Sequence, residues 1–171
     1  NINSNVNGGS SESVLIDISS KLGTNAINVS SGVTISTTEF SNSGTFKLFN
    51  FRQQAAYSLT NRGTLYASFY TSSYSNGTAA AILVGANSPV TLIDNFGSIT
   101  HETDYGIKNN GTIGTISNQS TGILNGIVNS DAEITKIHNI GTIGANSNKN
   151  VGAIYNKNGS TIGTIRNEGS I

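Results

Sequence analysis

The chain has 171 residues, 35% of them apolar, and nine acidic against nine basic residues, so its formal charge is zero. With no basic run it lacks the clustered Lys and Arg of a nucleic-acid surface. Only 11% of residues are charged and a single Pro occurs, which fits disorder poorly, and the absence of Cys excludes a disulfide scaffold.

Residues 1–13 are rich in Asn, Ser and Gly and read as an irregular lead-in, more like a trimmed end than a signal peptide. Strands are predicted at Val14–Ile18, Ala26–Val29 and Gly32–Ser36, and residues 1–39 are expected to form an N-terminal cap. Residues 40–90 are expected to form bulkier coils with insertions, since most Phe and Tyr residues fall within 40–74. Arg52–Tyr57 breaks the pattern as a loop or a single helical turn, and residues 70–78 are expected to protrude. The longest apolar run, Ala79–Val84, reads as a buried strand and falls far short of the roughly 20 residues of a membrane helix. From 91 to 171 the pattern becomes regular and dominated by Ile. No linker is visible, so residues 1–171 read as one domain.

That regularity rests on a seven-residue phrase, apolar-x-Asn-x-Gly-Ser/Thr-apolar. Its corner residues are Asn42 and Gly44, Asn61 and Gly63, Asn95 and Gly97, Asn109 and Gly111, Asn139 and Gly141, and Asn167 and Gly169. Asn tolerates the left-handed region and bonds its own backbone two residues on, while Gly accepts positive φ. Each phrase is therefore predicted to be a corner in a strand path, with its apolar ends pointing inward and the residues between them facing water or stacking on neighbours. Degenerate copies contain Asn118, Asn129 and Asn156. Successive corners lie most often about 10 residues apart, giving a coil of about 20 residues. At about 4.8 Å per coil, roughly eight coils would make a rod on the order of 40 Å long. The fragment Thr-Ile-Gly-Thr-Ile, at 112–116 and 161–165, breaks alternation and predicts a second kind of corner. The expected fold is all-β, a parallel β-solenoid. The last complete phrase ends on Ile171 with no visible cap, so the array is expected to be truncated at its C-terminus.

Little in the sequence carries chemistry. On a strand, Glu102 and Asp104 of His101-Glu-Thr-Asp104 would share one face, and paired carboxylates serve acid–base work or Ca²⁺ binding. The simpler reading is a solvated loop. Tyr66 and Tyr70 alternate with Leu65 and Phe69, so both are expected on the outer face, stacking on sugars or packing on a neighbouring insertion. His138 occupies a variable outward slot. With two His and no Cys, no metal site or cofactor is expected. Thr45, Thr64, Thr112 and Thr142 follow corner glycines and suggest a ladder. Five Asn-x-Ser/Thr sequons, at Asn28, Asn76, Asn110, Asn118 and Asn158, carry little weight in so Asn-rich a chain.

The segments 107–118 and 160–171 resemble passenger domains of Gram-negative bacterial autotransporters, the type V secreted proteins that include self-associating adhesins and the vacuolating cytotoxin. The resemblance covers 91–171 well and 40–70 loosely. It implies a right-handed parallel β-helix, export through the periplasm to the cell surface or medium, and a β-barrel translocator elsewhere in the full-length chain. It carries no catalytic residues with it. The expected function is non-enzymatic adhesion or self-association, with host-cell surfaces, glycans or the same protein on a neighbouring cell as partners. Neither nucleic acid nor a membrane span within these residues is expected. The alternatives are part of a toxin passenger resembling the vacuolating cytotoxin, and a polysaccharide-binding or polysaccharide-cleaving β-helix of tailspike type.

Overall fold

The computed structural model describes residues 1–4, 6–8, 14–18, 26–37, 47–51, 56–68, 80–145 and 152–171. Short β-branched segments bounded by Asn, Gly and Ser favour strands over helices, and no helix occurs among the described residues. Sheet 1 holds β1 (Val6–Gly8), β4 (Thr34–Thr37), β7 (Thr64–Ala67), β10 (Ser98–His101), β13 (Ile123–Asn125) and β16 (Thr142–Gly144). Sheet 2 holds β2 (Val14–Ile18), β5 (Lys47–Phe51), β8 (Ala80–Val84), β11 (Tyr105–Asn109), β14 (Ile127–Ser130) and β17 (Ile154–Lys157). Sheet 3 holds β3 (Ala26–Val29), β6 (Tyr57–Asn61), β9 (Pro89–Asn95), β12 (Thr112–Asn118), β15 (Glu133–Asn139) and β18 (Thr161–Asn167).

Every pairing is parallel, and each strand pairs with the strand three places on. Three consecutive strands thus make one coil, and the chain is a parallel β-solenoid, as its repeats predicted. The described strands form six coils, so at about 4.8 Å per coil the stack is on the order of 30 Å long. This corrects the expected eight coils and 40 Å. Equivalent Asn residues lie 23 and 21 positions apart in the middle of the chain, close to the predicted coil, but 34 and 28 apart on either side. Longer connections, rather than more coils, take up those residues. The longest connections, 38–46, 68–79 and 145–153, each join a strand of sheet 1 to the next strand of sheet 2 in chain order. Residues 1–39 supply the first strands of the same three sheets, and Ile2 bridges to Val29 beside β3.

The core is a column of stacked side chains. Ile93, Ile116 and Ile137 stack in one register row of sheet 3, and Val90, Ile113 and Ile134 in another, all essentially inaccessible. Burying each contributes about 1.5–3 kcal/mol. Phe49, Phe51 and Tyr57 are also fully buried, with ring centroids 6.4 and 5.9 Å apart along the series. Tyr57, expected in a loop or helical turn, instead opens β6 with its ring in the core. The second corner exists, but as a kink inside a continuous strand. In β12 the inward residues Ile113 and Ile116 are three apart, and the pairing with β15 skips Gly114. The central strands of sheet 2, β8, β11 and β14, are buried on both faces. Leu83, Lys108 and Val128 alternate with the core residues Ile82, Ile107 and Ile127, yet they too are buried.

Candidate functional site

The corner asparagines inside the stack do not face water. Asn61, Asn95, Asn118 and Asn139 are fully buried, and with Asn167 they stack in one column where sheet 3 turns into sheet 1. Each Nδ2 donates to Oδ1 of the next Asn, at 2.9 Å for Asn61 to Asn95 and 2.8 Å for the three further steps. A second column, at the turn from sheet 2 to sheet 3, joins Asn109, Asn129 and Asn156 at 2.8 Å per step. The perfect and degenerate phrases therefore alternate between two corners of one coil. Val29 and Val84 stand in register above the first Asn of each column. Lacking an upstream donor, the Oδ1 atoms of Asn61 and Asn109 accept from their own Gly63 and Gly111 N–H groups, at 3.2 and 3.1 Å. This is the predicted turn bond.

The reason for the glycines is different from the one predicted. Neither the Asn nor the Gly of the described phrases has positive φ; among the described residues that region is taken by Asn87, Asp131, Asn158, Gly32, Gly126 and Gly159. The corner glycines are needed because coils stack with carbonyl groups against them. A Cβ on Gly97 would lie 2.0 Å from the Gly63 oxygen, and one on Gly169 would lie 2.1 Å from the Gly141 oxygen. No side chain fits there. Asn42 and Gly44 lie outside the described residues.

The His101–Asp104 segment also departs from expectation. His101 ends β10 and is fully buried, not solvated. Its Nδ1 accepts the N–H groups of Thr103 and Asp104, at 3.2 and 2.9 Å, and folds 102–104 into a tight bend. Strand alternation stops at His101, so Glu102 and Asp104 do not share an open face. Asp104 is buried, and its Oδ1 accepts the N–H of Tyr105 at 3.0 Å. Burial, then the charges of Asp104 and Tyr155, push the Tyr105 hydroxyl pKa upward. Glu102 remains exposed, and its Oε2 accepts a short hydrogen bond from Ser68 Oγ.

Tyr66 lies where the alternation placed it, on the outer face of sheet 1 and partly exposed, in register with Ser36 before it and Thr100 after it. Tyr70 lies outside the described residues, as do Thr45, the whole of the segment 70–78 expected to protrude, and most of 144–151. The expected Thr ladder is divided. Thr64, Ser98 and Thr142 are on sheet 1 with Ile123 interrupting them, while Thr112 is on sheet 3. The sequon residue Asn118 is buried within the first Asn column.

The outer face of sheet 3 carries the charges. Asp94, Ser117, His138 and Arg166 occupy one register row. Gln119 Nε2 donates to Asp94 Oδ1 at 2.6 Å and to Ser117 Oγ at 2.8 Å. Glu168 Oε1 lies 3.2 Å from His138 Nε2 and 2.5 Å from Arg166 Nε. The hydrogen bond with His138, then the Arg166 charge, holds the Glu168 carboxyl below the usual carboxylate range. Arg62 stacks over the Phe96 ring at 4.6 Å at the adjoining corner. Sequence reasoning found His138 outward but missed Arg166, Glu168 and Ser68, whose partners lie a coil away. The signal was present in the shared phrase, because aligning the copies on Asn and Gly puts 138 beside 166 and 140 beside 168.

Among the described residues no group of three His, Cys, Asp or Glu could hold a metal ion, and no helix is long and apolar enough to cross a membrane, which says nothing of a β-barrel. Comparison with known protein families, curated proteins and solved structures gave no match.

Proposed function

We propose that the chain is a non-enzymatic binding rod, the passenger of an autotransporter-like protein, secreted or displayed at the outer-membrane surface, that mediates adhesion or self-association. The observation that carries this reading is the in-register display of outward side chains on a stacked scaffold. Outward positions on one strand are followed about 4.8 Å further along the rod by those of the next coil, and a rod that offers many contacts at fixed spacing turns weak ones into avidity. The division of labour among polar groups supports it. The buried Asn columns hold coils together, and the two carboxylates nearest to an acid–base pair are separated by burial. Host-cell surfaces, glycans or another copy on a neighbouring cell are the partners considered.

Beads coated with the purified chain test this directly. They are expected to clump with one another or to adhere to cultured cells, and a chain denatured and left unfolded is expected to do neither. Beads that stay dispersed and ignore cells would refute the reading.

A further inference from the structure

We infer that the outer face of sheet 1 around Tyr66 is a binding face for a neutral carbohydrate chain. This rests on the adhesive reading and specifies it. Two features distinguish that face from the other two. The outward residues of sheet 2 in its central strands are buried, so they present no comparable surface. The strands of sheet 3 carry Asp94, Glu133, Lys136 and Arg166. The strands of sheet 1 carry no Asp, Glu, Lys or Arg.

What sheet 1 presents instead is a grid of hydroxyl groups. Ile35, Leu65 and Ile99 are fully buried, which turns their strand neighbours outward. Those neighbours pair in register as Thr34, Thr64 and Ser98 in one row and Ser36, Tyr66 and Thr100 in the next. The rows are about 6.6 Å apart along the strand and the steps about 4.8 Å apart along the rod. Parallel pairing fixes the grid before a ligand arrives, so little ordering cost is left for binding. Tyr66 supplies an apolar ring with a polar tip in the middle of the grid.

Two positions beyond Tyr66 and Thr100, Ser68 and Glu102 meet across neighbouring coils and hold a carboxylate at the edge of the same face. A sugar ring offers an apolar C–H side to Tyr66 and hydroxyl groups to the grid and to the carboxylate. The strands hold no Lys or Arg to attract an acidic polysaccharide. A second copy of the chain fits less well, because a protein interface is more apolar at its centre. Ile123 is the one large aliphatic side chain strongly exposed on these strands.

The test is affinity electrophoresis of the folded chain through gels containing dextran, mannan or xylan, with alginate as the acidic counterpart. At least one neutral polymer is expected to retard the chain, and alginate none. Tyr66→Ala is expected to weaken retardation at least about tenfold, which corresponds to about 1.4 kcal/mol. Tyr66→Phe is expected to keep most of it. Glu102→Gln, a nearly isosteric change at an exposed residue that still offers Ser68 an acceptor oxygen, is expected to keep the fold and to weaken retardation about tenfold through loss of a charged acceptor. Lys136→Ala, on sheet 3, is expected to change nothing. No retardation by any neutral polymer, retardation by alginate, or full binding by both Tyr66→Ala and Glu102→Gln overturns the inference. Coated beads that still adhere while every neutral polymer fails would remove this face and leave the adhesive reading standing.

Discussion

Asn118 is the third of five asparagines in its column, and replacing it with Ala tests whether the columns hold the coils together. Its Nδ2 contacts Asn139 Oδ1 at 2.8 Å, Thr142 O at 3.0 Å and Gly122 O at 3.1 Å, and its Oδ1 accepts from Asn95 at 2.8 Å. The two Nδ2 hydrogens serve these three acceptors, so about three hydrogen bonds are lost at about 1 kcal/mol each; with Asn139 Oδ1 left without its donor in the core, the expected loss is about 4–5 kcal/mol. A domain of this size has roughly 5–15 kcal/mol in total, so the variant should be close to unfolding. Asn167 provides the comparison. It ends the column, is exposed, and keeps two contacts, from Asn139 Nδ2 and to Gly169 O. Its replacement should cost about 1 kcal/mol or less, since water substitutes for the lost partners. Urea unfolding followed by far-UV circular dichroism measures both. Equal costs for the two variants, or a cost below about 1 kcal/mol for Asn118→Ala, would show that the column contributes no more than a surface hydrogen bond. Asn118→Asp sharpens the test. It sets two acceptors against each other at the Asn139 step, so its penalty should grow as pH rises and the new carboxyl ionises.

The corner glycines make a second pair. Gly141→Ala places a Cβ 2.3 Å from two backbone oxygens, whereas Gly144→Ala meets nothing within 4 Å. Thermal melts should show a loss of about 1–3 kcal/mol for the first and under about 0.5 kcal/mol for the second. The two histidines should behave oppositely. His101→Ala removes the acceptor of two N–H groups and should cost about 2–4 kcal/mol, while His138→Ala on the surface should stay within about 0.5 kcal/mol in chemical denaturation. His138→Ala should also raise the Glu168 carboxyl toward its ordinary value, as read by carbon-13 NMR titration. Because the folded value is depressed, the stabilisation from Glu168 is present above the unfolded carboxyl pKa of about 4.3. It is lost as pH falls through the lower folded value. Glu168→Gln should flatten that acid limb, and an unchanged limb would refute the coupling.

Several of these sites were legible from the sequence and several were not, and the division has a physical cause. Tyr66 was placed outward by simple alternation with Leu65, because a strand points successive side chains to opposite faces. His101 followed the same alternation up to its own position, but its Nδ1 ends the strand, and nothing local in His-Glu-Thr-Asp shows that its ring is buried. The Asp94–Gln119–Ser117 and His138–Glu168–Arg166 contacts join residues 25 to 30 positions apart, or neighbours brought together by them. They become visible once the coils are in register.

The sequence by itself determined the solenoid. Apolar spacing, Asn-x-Gly corners and a repeat near 20 residues each restrict the backbone locally, and together they leave a parallel coil as the consistent path. It also drew attention to the aromatic residues of 40–74, although it reads Tyr57 as part of a loop or helical turn and not of the core. The tertiary structure decided what the corners are for. An Asn and a Gly in one phrase look like turn residues, because both favour turns in isolation. Stacking converts them into a buried amide column and a row of backbone contacts too close for any side chain. Stacking also decided which outward residues share a face of the rod, because that depends on what each coil lays beside the next.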